Sequence, residues 1–106
     1  MGLLDLFKKA DINEGYKEYR KQHRAMLIDV RDKNEYAAGH LQGARNIPLS
    51  TIDKAVSAIH DKDMPLYVYC LSGGRSRKAV SALRKAGYTN VTNIGGIEGY
   101  SGRLVK

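Results

Sequence analysis

The sequence predicts an α/β fold: a single domain whose central parallel sheet is flanked by helices on both faces. Short β-rich apolar runs alternate along the chain with segments of helical periodicity. The connections are brief, and a strand returning parallel to its neighbour needs a crossover, which the helical segments supply. At 106 residues the chain can bury one core, so the runs belong to one sheet.

Residues 1–11 read as a flexible lead-in and residues 12–106 as the domain. Asp11 or Asn13 can cap a helix that continues to about Gln22, with Ile12, Tyr16 and Tyr19 on one side. Residues 25–30 form a near-continuous apolar run ending in Asp29-Val30-Arg31, the pattern of a strand buried on both faces. Residues 32–38 make a short polar helix anchored by Tyr36 and stopped by Gly39. Residues 44–47 are a brief strand halted by Pro48. Ser50 or Thr51 then caps a helix over residues 52–60, with Ile52, Val56 and Ile59 as its buried stripe.

After Pro65, residues 66–70 (Leu-Tyr-Val-Tyr-Cys) are a strand, and residues 76–86 a helix. Ala79, Val80, Leu83 and Ala86 fall on one face of that helix, and Gly87 ends it. Residues 91–94 form a last strand, Gly95-Gly96 a turn, and residues 97–100 a final helical turn. His23 and His60 follow helical segments and read as surface; Tyr67 and Tyr69 alternate with Val68 and read as sheet packing.

A hydrophobic share of 42% with 27% charged residues excludes a disordered chain. The single cysteine excludes an intramolecular disulfide and fits a reducing compartment or indifference to the redox environment. The apolar stretch at residues 3–7 contains Asp5 and is too short for a signal peptide or a membrane span. Met1-Gly2 lacks the Ser or Thr that myristoylation wants at position 6, where Leu6 stands. These features predict a cytoplasmic protein with no membrane partner. The net charge of +7 is uneven: residues 1–70 hold 11 Lys/Arg against 10 Asp/Glu, residues 71–106 hold 7 against Glu98 alone. Such a field favours anionic substrates or acidic partners. Few aromatics, no nucleic-acid motif and charge confined to one third of the chain argue against nucleic acid.

Within that basic third sits the one thiol. Cys70 ends a strand and is followed by Leu71, Ser72, Gly73, Gly74, Arg75 and Ser76, then a helix. In open α/β sheets ligands bind beyond the carboxyl ends of the strands. A helix N-terminus and nearby cations lower a cysteine pKa from about 8.5 to about 3.5–7.5. Gly73 and Gly74 let the backbone curl so that its N–H groups converge as an anion-binding nest. Arg75 brings fixed charge and directional donors, either toward a bound anion or as a clamp on the loop. Ser72 offers a hydroxyl to a ligand or merely fills the loop, and Ser76 can also cap the following helix. Arg77 and Lys78 read as a solvated helix face. A lone cysteine is commonly a buried, inert hydrophobe; here the strand end, the glycines, Arg75 and the helix favour a nucleophile.

The spacing from Cys70 to Arg75 is one residue shorter than the Cys-x5-Arg of the cysteine phosphatases. A shorter loop closes on a smaller group, fitting the terminal sulfur of a persulfide better than a phosphoryl group. Three ordered motifs carry a resemblance to the rhodanese (sulfurtransferase) family over residues 14–101. The first runs from Leu27-Ile28-Asp29-Val30-Arg31 through Glu35-Tyr36-x-x-Gly39-His40-Leu41-x-Gly43-Ala44-x-Asn46-Ile47-Pro48. The second is the Cys70 loop, and the third Asn93-Ile94-Gly95-Gly96-Ile97-Glu98-Gly99-Tyr100.

The resemblance implies a single rhodanese-like domain in which Cys70 takes a sulfane sulfur from thiosulfate or a thiol persulfide. Cys70 would pass it to cyanide, a thiol or a sulfur-relay partner protein. The backbone N–H groups of residues 71–75 would hold the persulfide, with neither metal nor organic cofactor. His40, Asp29 and Arg31 would be structural. Many family members carry Arg where this chain has Leu71, which argues against thiosulfate as the best donor; Tyr100 keeps the ring of the usual Trp. The alternatives are a non-catalytic rhodanese-like interaction module, or a phosphatase or arsenate reductase on the same fold.

Overall fold

A computed structural model describes residues 10–106. Helix α1 (Ile12–Lys21) starts where the Asp11 side chain accepts the Asn13 N–H at 2.9 Å. Strand β1 (Met26–Asp29) follows, then α2 (Lys33–Ala38), whose Glu35 reaches back to accept the Asp32 N–H at 3.0 Å. After β2 (Ala44–Asn46) come a 3₁₀ segment (Leu49–Lys54) and the short α3 (Ala55–Ala58). Strand β3 (Leu66–Cys70), α4 (Gly74–Lys85), β4 (Val91–Gly96) and a 3₁₀ turn (Ile97–Gly99) complete the order.

The four strands pair in the order β2-β1-β3-β4, all parallel. Alternation along the strands divides the interior in two. Ile28, Leu66, Val68 and Cys70 face Ala55, Ile59, Ala79, Val80 and Leu83 on the α3–α4 side. Leu27, Tyr67 and Tyr69 face Ile12, Tyr16 and Leu41 on the α1 side. The predicted architecture, a parallel sheet covered on both faces, is the one observed.

Several boundaries differ from the sequence reading, each for a local reason. The predicted helix over residues 52–60 begins instead as the 3₁₀ segment after Pro48. Thr51 does not cap it: its backbone is non-helical and its hydroxyl returns to the Pro48 carbonyl at 3.2 Å. Ile59 is buried and Ile52 half-buried, as expected, but Ile59 is already extended; the Val56 side chain lies outside the described residues. Helix α4 begins at Gly74, not Ser76, because Gly73 takes the left-handed φ of +104° at its start. Ala79, Val80 and Leu83 are buried, whereas Ala86 is exposed at the helix end. Gly95 and Gly96 continue β4 rather than turning, with a bulge against β3 between Val68 and Tyr69. Of the predicted lead-in, residues 1–9 lie outside the described residues, and Asp11 belongs to α1 as its cap.

Candidate active site

The site forms where β3 hands the chain to α4. Cys70 points to the α4 side of the sheet and is 1% exposed, while the next residue, Leu71, turns outward and is 42% exposed. The loop lies on the end of β4, so a Cβ at Gly96 would collide with the Leu71 carbonyl. That carbonyl accepts the Glu98 N–H at 3.2 Å. The curl set by Gly73 then brings its own N–H to within 3.0 Å of the Cys70 Sγ.

Ser76, fully buried in the first turn of α4, places its Oγ 3.4 Å from the same sulfur. Burial pushes the Cys70 thiol up, but the Ser76 hydroxyl and the N–H groups of Ser76, Gly73 and Ser72 outweigh it. The net effect holds Cys70 below the ordinary thiol value. A buried sulfur ringed by donors at the head of a twelve-residue helix is suited to carry negative charge.

Arg75 is not part of that ring. Its two terminal nitrogens donate to the Glu35 carboxylate of α2 at 2.7 and 2.9 Å. The arginine holds the Glu35 carboxyl well below the usual range, at about 2. Of the two readings of Arg75, the clamp describes its contacts: it ties the end of the loop to α2. Ser72 is exposed and contributes its N–H toward the sulfur; Gly74 has open space where a Cβ would stand. The structure thus brings Cys70, Ser72, Gly73 and Ser76 together, and sets Leu71 at the rim and Arg75 to the side.

The remaining candidates have structural partners. Asp29 is wholly buried and binds the Arg31 guanidinium through both oxygens, at 2.7–3.1 Å, while Arg31 also donates to the Gly39 carbonyl. His40 stacks on Tyr36 at 3.7 Å, and its Nδ1 lies 2.8 Å from the Tyr36 carbonyl. Two residues of the site had no chemical role in the sequence reading. Glu35 is forty positions from Arg75, and Asn93, on β4, lies 2.8 Å from the Ser76 Oγ. Both stand inside the quoted motifs, which mark them without saying what they touch.

A buried thiol in a glycine-bearing loop at a parallel strand end can be matched to known proteins. The family model for the rhodanese-like domain matches residues 12–103. The chain belongs to the rhodanese family. It is 44% identical over 89 residues to the uncharacterised protein YqhL of Bacillus subtilis, covering 82% of this chain and 70% of that one. It is 42% identical over 72 residues to the thiosulfate sulfurtransferase PspE of Escherichia coli, covering 67% and 69%. Among solved structures, a rhodanese with anions from E. coli superposes with a TM-score of 0.71 at 38% identity, covering 77% of this chain and 98% of that one. Among the described residues of this rhodanese domain, no helix is long and apolar enough to cross a membrane.

Proposed function

We propose that this rhodanese domain is a sulfurtransferase that carries a sulfane sulfur on Cys70. The observation behind this reading is the Gly73 N–H held 3.0 Å from a buried Sγ at the head of α4. In the first half-reaction the Cys70 thiolate attacks the outer sulfur of a small anionic donor, thiosulfate or a thiol persulfide. A bond from Sγ to that sulfur forms as the donor's S–S bond breaks, and sulfite or a thiolate leaves with the electron pair. In the second, cyanide, a thiol or a sulfur-relay partner protein takes the outer sulfur, and the Cys70 thiolate returns. The loop N–H groups act toward the terminal sulfur as an oxyanion hole acts toward oxygen.

Leu71 and Arg75 bear on the donor. The rim beside the thiol is an exposed leucine, and the loop's guanidinium is engaged by Glu35. Both favour a thiol persulfide with an apolar flank over the sulfonate of thiosulfate; the name of the E. coli relative PspE supports thiosulfate as a donor. The same engagement of Arg75 weighs against a phosphatase or arsenate reductase, which would turn that guanidinium toward its anion. Two covalent halves predict ping-pong kinetics. Thiocyanate formation from thiosulfate and from glutathione persulfide, with cyanide varied, tests this. Parallel double-reciprocal lines abolished by Cys70→Ala are expected; no thiocyanate from either donor overturns the reading.

A further inference from the structure

Asn93 lies in β4 opposite Val68, just before the bulge. Its Oδ1 accepts the Gly95 N–H at 2.9 Å, and its Nδ2 is 3.4 Å from the Gly73 carbonyl. A donor on one side and an acceptor on the other fix which end of the carboxamide is oxygen. That oxygen is also 2.8 Å from the Ser76 Oγ. A carboxamide oxygen only accepts, so the Ser76 hydroxyl donates to it.

A serine hydroxyl has one proton to give, and Ser76 has two uses for it. With Cys70 a thiol, S–H donates to Ser76 and Ser76 donates to Asn93, a continuous chain with every group satisfied. With Cys70 a thiolate, the sulfur can only accept, and the Ser76 proton turns to it. Asn93 Oδ1 then still holds the Gly95 N–H, so the turn leaves no buried acceptor bare. The third neighbour, the Gly73 carbonyl 3.0 Å from Ser76 Oγ, already faces two other donors, the Arg77 N–H at 3.1 Å and the Asn93 Nδ2 at 3.4 Å, which match its two lone pairs, whereas Asn93 Oδ1 has only the Gly95 N–H.

We propose that Asn93 is a positioning residue that holds the Ser76 proton while Cys70 has no use for it and yields it when Cys70 becomes a thiolate. The inference rests on the sulfur-transfer reading, in which Cys70 alternates between thiolate and persulfide. In the persulfide the charge sits on the outer sulfur, Sγ is neutral, and the Ser76 hydroxyl points to Asn93. When an acceptor attacks the outer sulfur, the S–S bond breaks and its electron pair stays on Sγ. The Ser76 hydroxyl then rotates from Asn93 to the departing thiolate. Its proton stays on Ser76 throughout; only the hydrogen bond changes direction.

The test is the pH dependence of Cys70 alkylation by iodoacetamide in the wild-type chain, Ser76→Ala, Asn93→Asp and the double variant. Alkylation reads the thiol directly, so it reports on Asn93 whether or not sulfur transfer is found. Asn93→Asp makes the competing acceptor anionic and retains the Ser76 proton more firmly. The Cys70 pKa is expected to rise by about one unit in the wild-type background and by less than half as much with Ser76→Ala. An equal rise in both backgrounds means the new charge acts through space, and overturns the proposal, as does no rise. Should the aspartate variant fail to fold by circular dichroism, Asn93→Ala decides. Without the competing acceptor the Cys70 pKa falls; an unchanged or higher value overturns the proposal.

Discussion

Arg75 and Glu35 meet fork to fork, with two hydrogen bonds of 2.7 and 2.9 Å between side chains forty positions apart. The pair fastens the end of the Cys70 loop to the first turn of α2, where Glu35 also accepts the Asp32 N–H. One carboxylate therefore serves a helix start and the Cys70 loop, and engages the guanidinium that the loop carries.

The pair has an acid signature. Glu35 sits at about 2 in the folded chain, below an unfolded value of about 4.3. A depressed folded value contributes stability that is complete above about pH 4.3 and is lost as the pH falls toward 2. Both side chains are about one-third exposed, so solvent screening limits the contribution to about 1 kcal/mol or less. Urea melts at pH 6 and pH 3 should show the wild type losing about half of this increment relative to Glu35→Gln. Equal losses in the two proteins would mean the pair adds nothing to stability.

Cys70 should alkylate quickly at pH 6, because hydrogen bonds to the sulfur outweigh its burial. A titration following thiolate absorbance or iodoacetamide rate should give a value below that of an ordinary thiol. A value above that contradicts the account of the loop as a thiolate site.

Leu71→Arg places a guanidinium at the exposed rim beside the thiol. For thiosulfate, kcat/KM should rise about tenfold, the equivalent of about 1.4 kcal/mol from a charge-assisted contact. Glutathione persulfide should gain less. An unchanged thiosulfate value would show that the leucine does not limit that donor.

Tyr88 shows what periodicity misses. It follows the Gly87 stop, yet it is 2% exposed and its hydroxyl bonds the Ala55 and Ile59 carbonyls at 3.0 and 2.6 Å. It thereby closes the short α3 that the sequence pattern made into a longer helix. Tyr88→Phe leaves both carbonyls without this donor and should cost about 1–2 kcal/mol in urea unfolding, with sulfur transfer retained. A cost near zero would mean that the two carbonyls find other donors.

The legible parts of the fold were those written in local pattern. The Ala79, Val80 and Leu83 stripe, the apolar run through Ile28, and the strand into Cys70 each repeat at the spacing of their element. The misread parts turn on backbone geometry that composition does not encode. Gly95-Gly96 has the composition of a turn, but these glycines serve a bulge and a close approach of the Leu71 carbonyl. Ser76 has the composition of a cap, but Gly73 makes the start and Ser76 faces the sulfur instead. Cys70 was legible because strand, glycines and helix adjoin it in sequence. Glu35 and Asn93 were not, because their partners are brought to them only by the sheet.

The central claim is that Cys70 carries the sulfur, and intact-protein mass spectrometry reads it. After incubation with glutathione persulfide or thiosulfate, removal of the donor and peptide mapping, one added sulfur should appear on the Cys70 peptide. Cyanide should then remove it and release an equal amount of thiocyanate. A chain that gains no sulfur from either donor, or gains it equally as Cys70→Ser, would contradict the account.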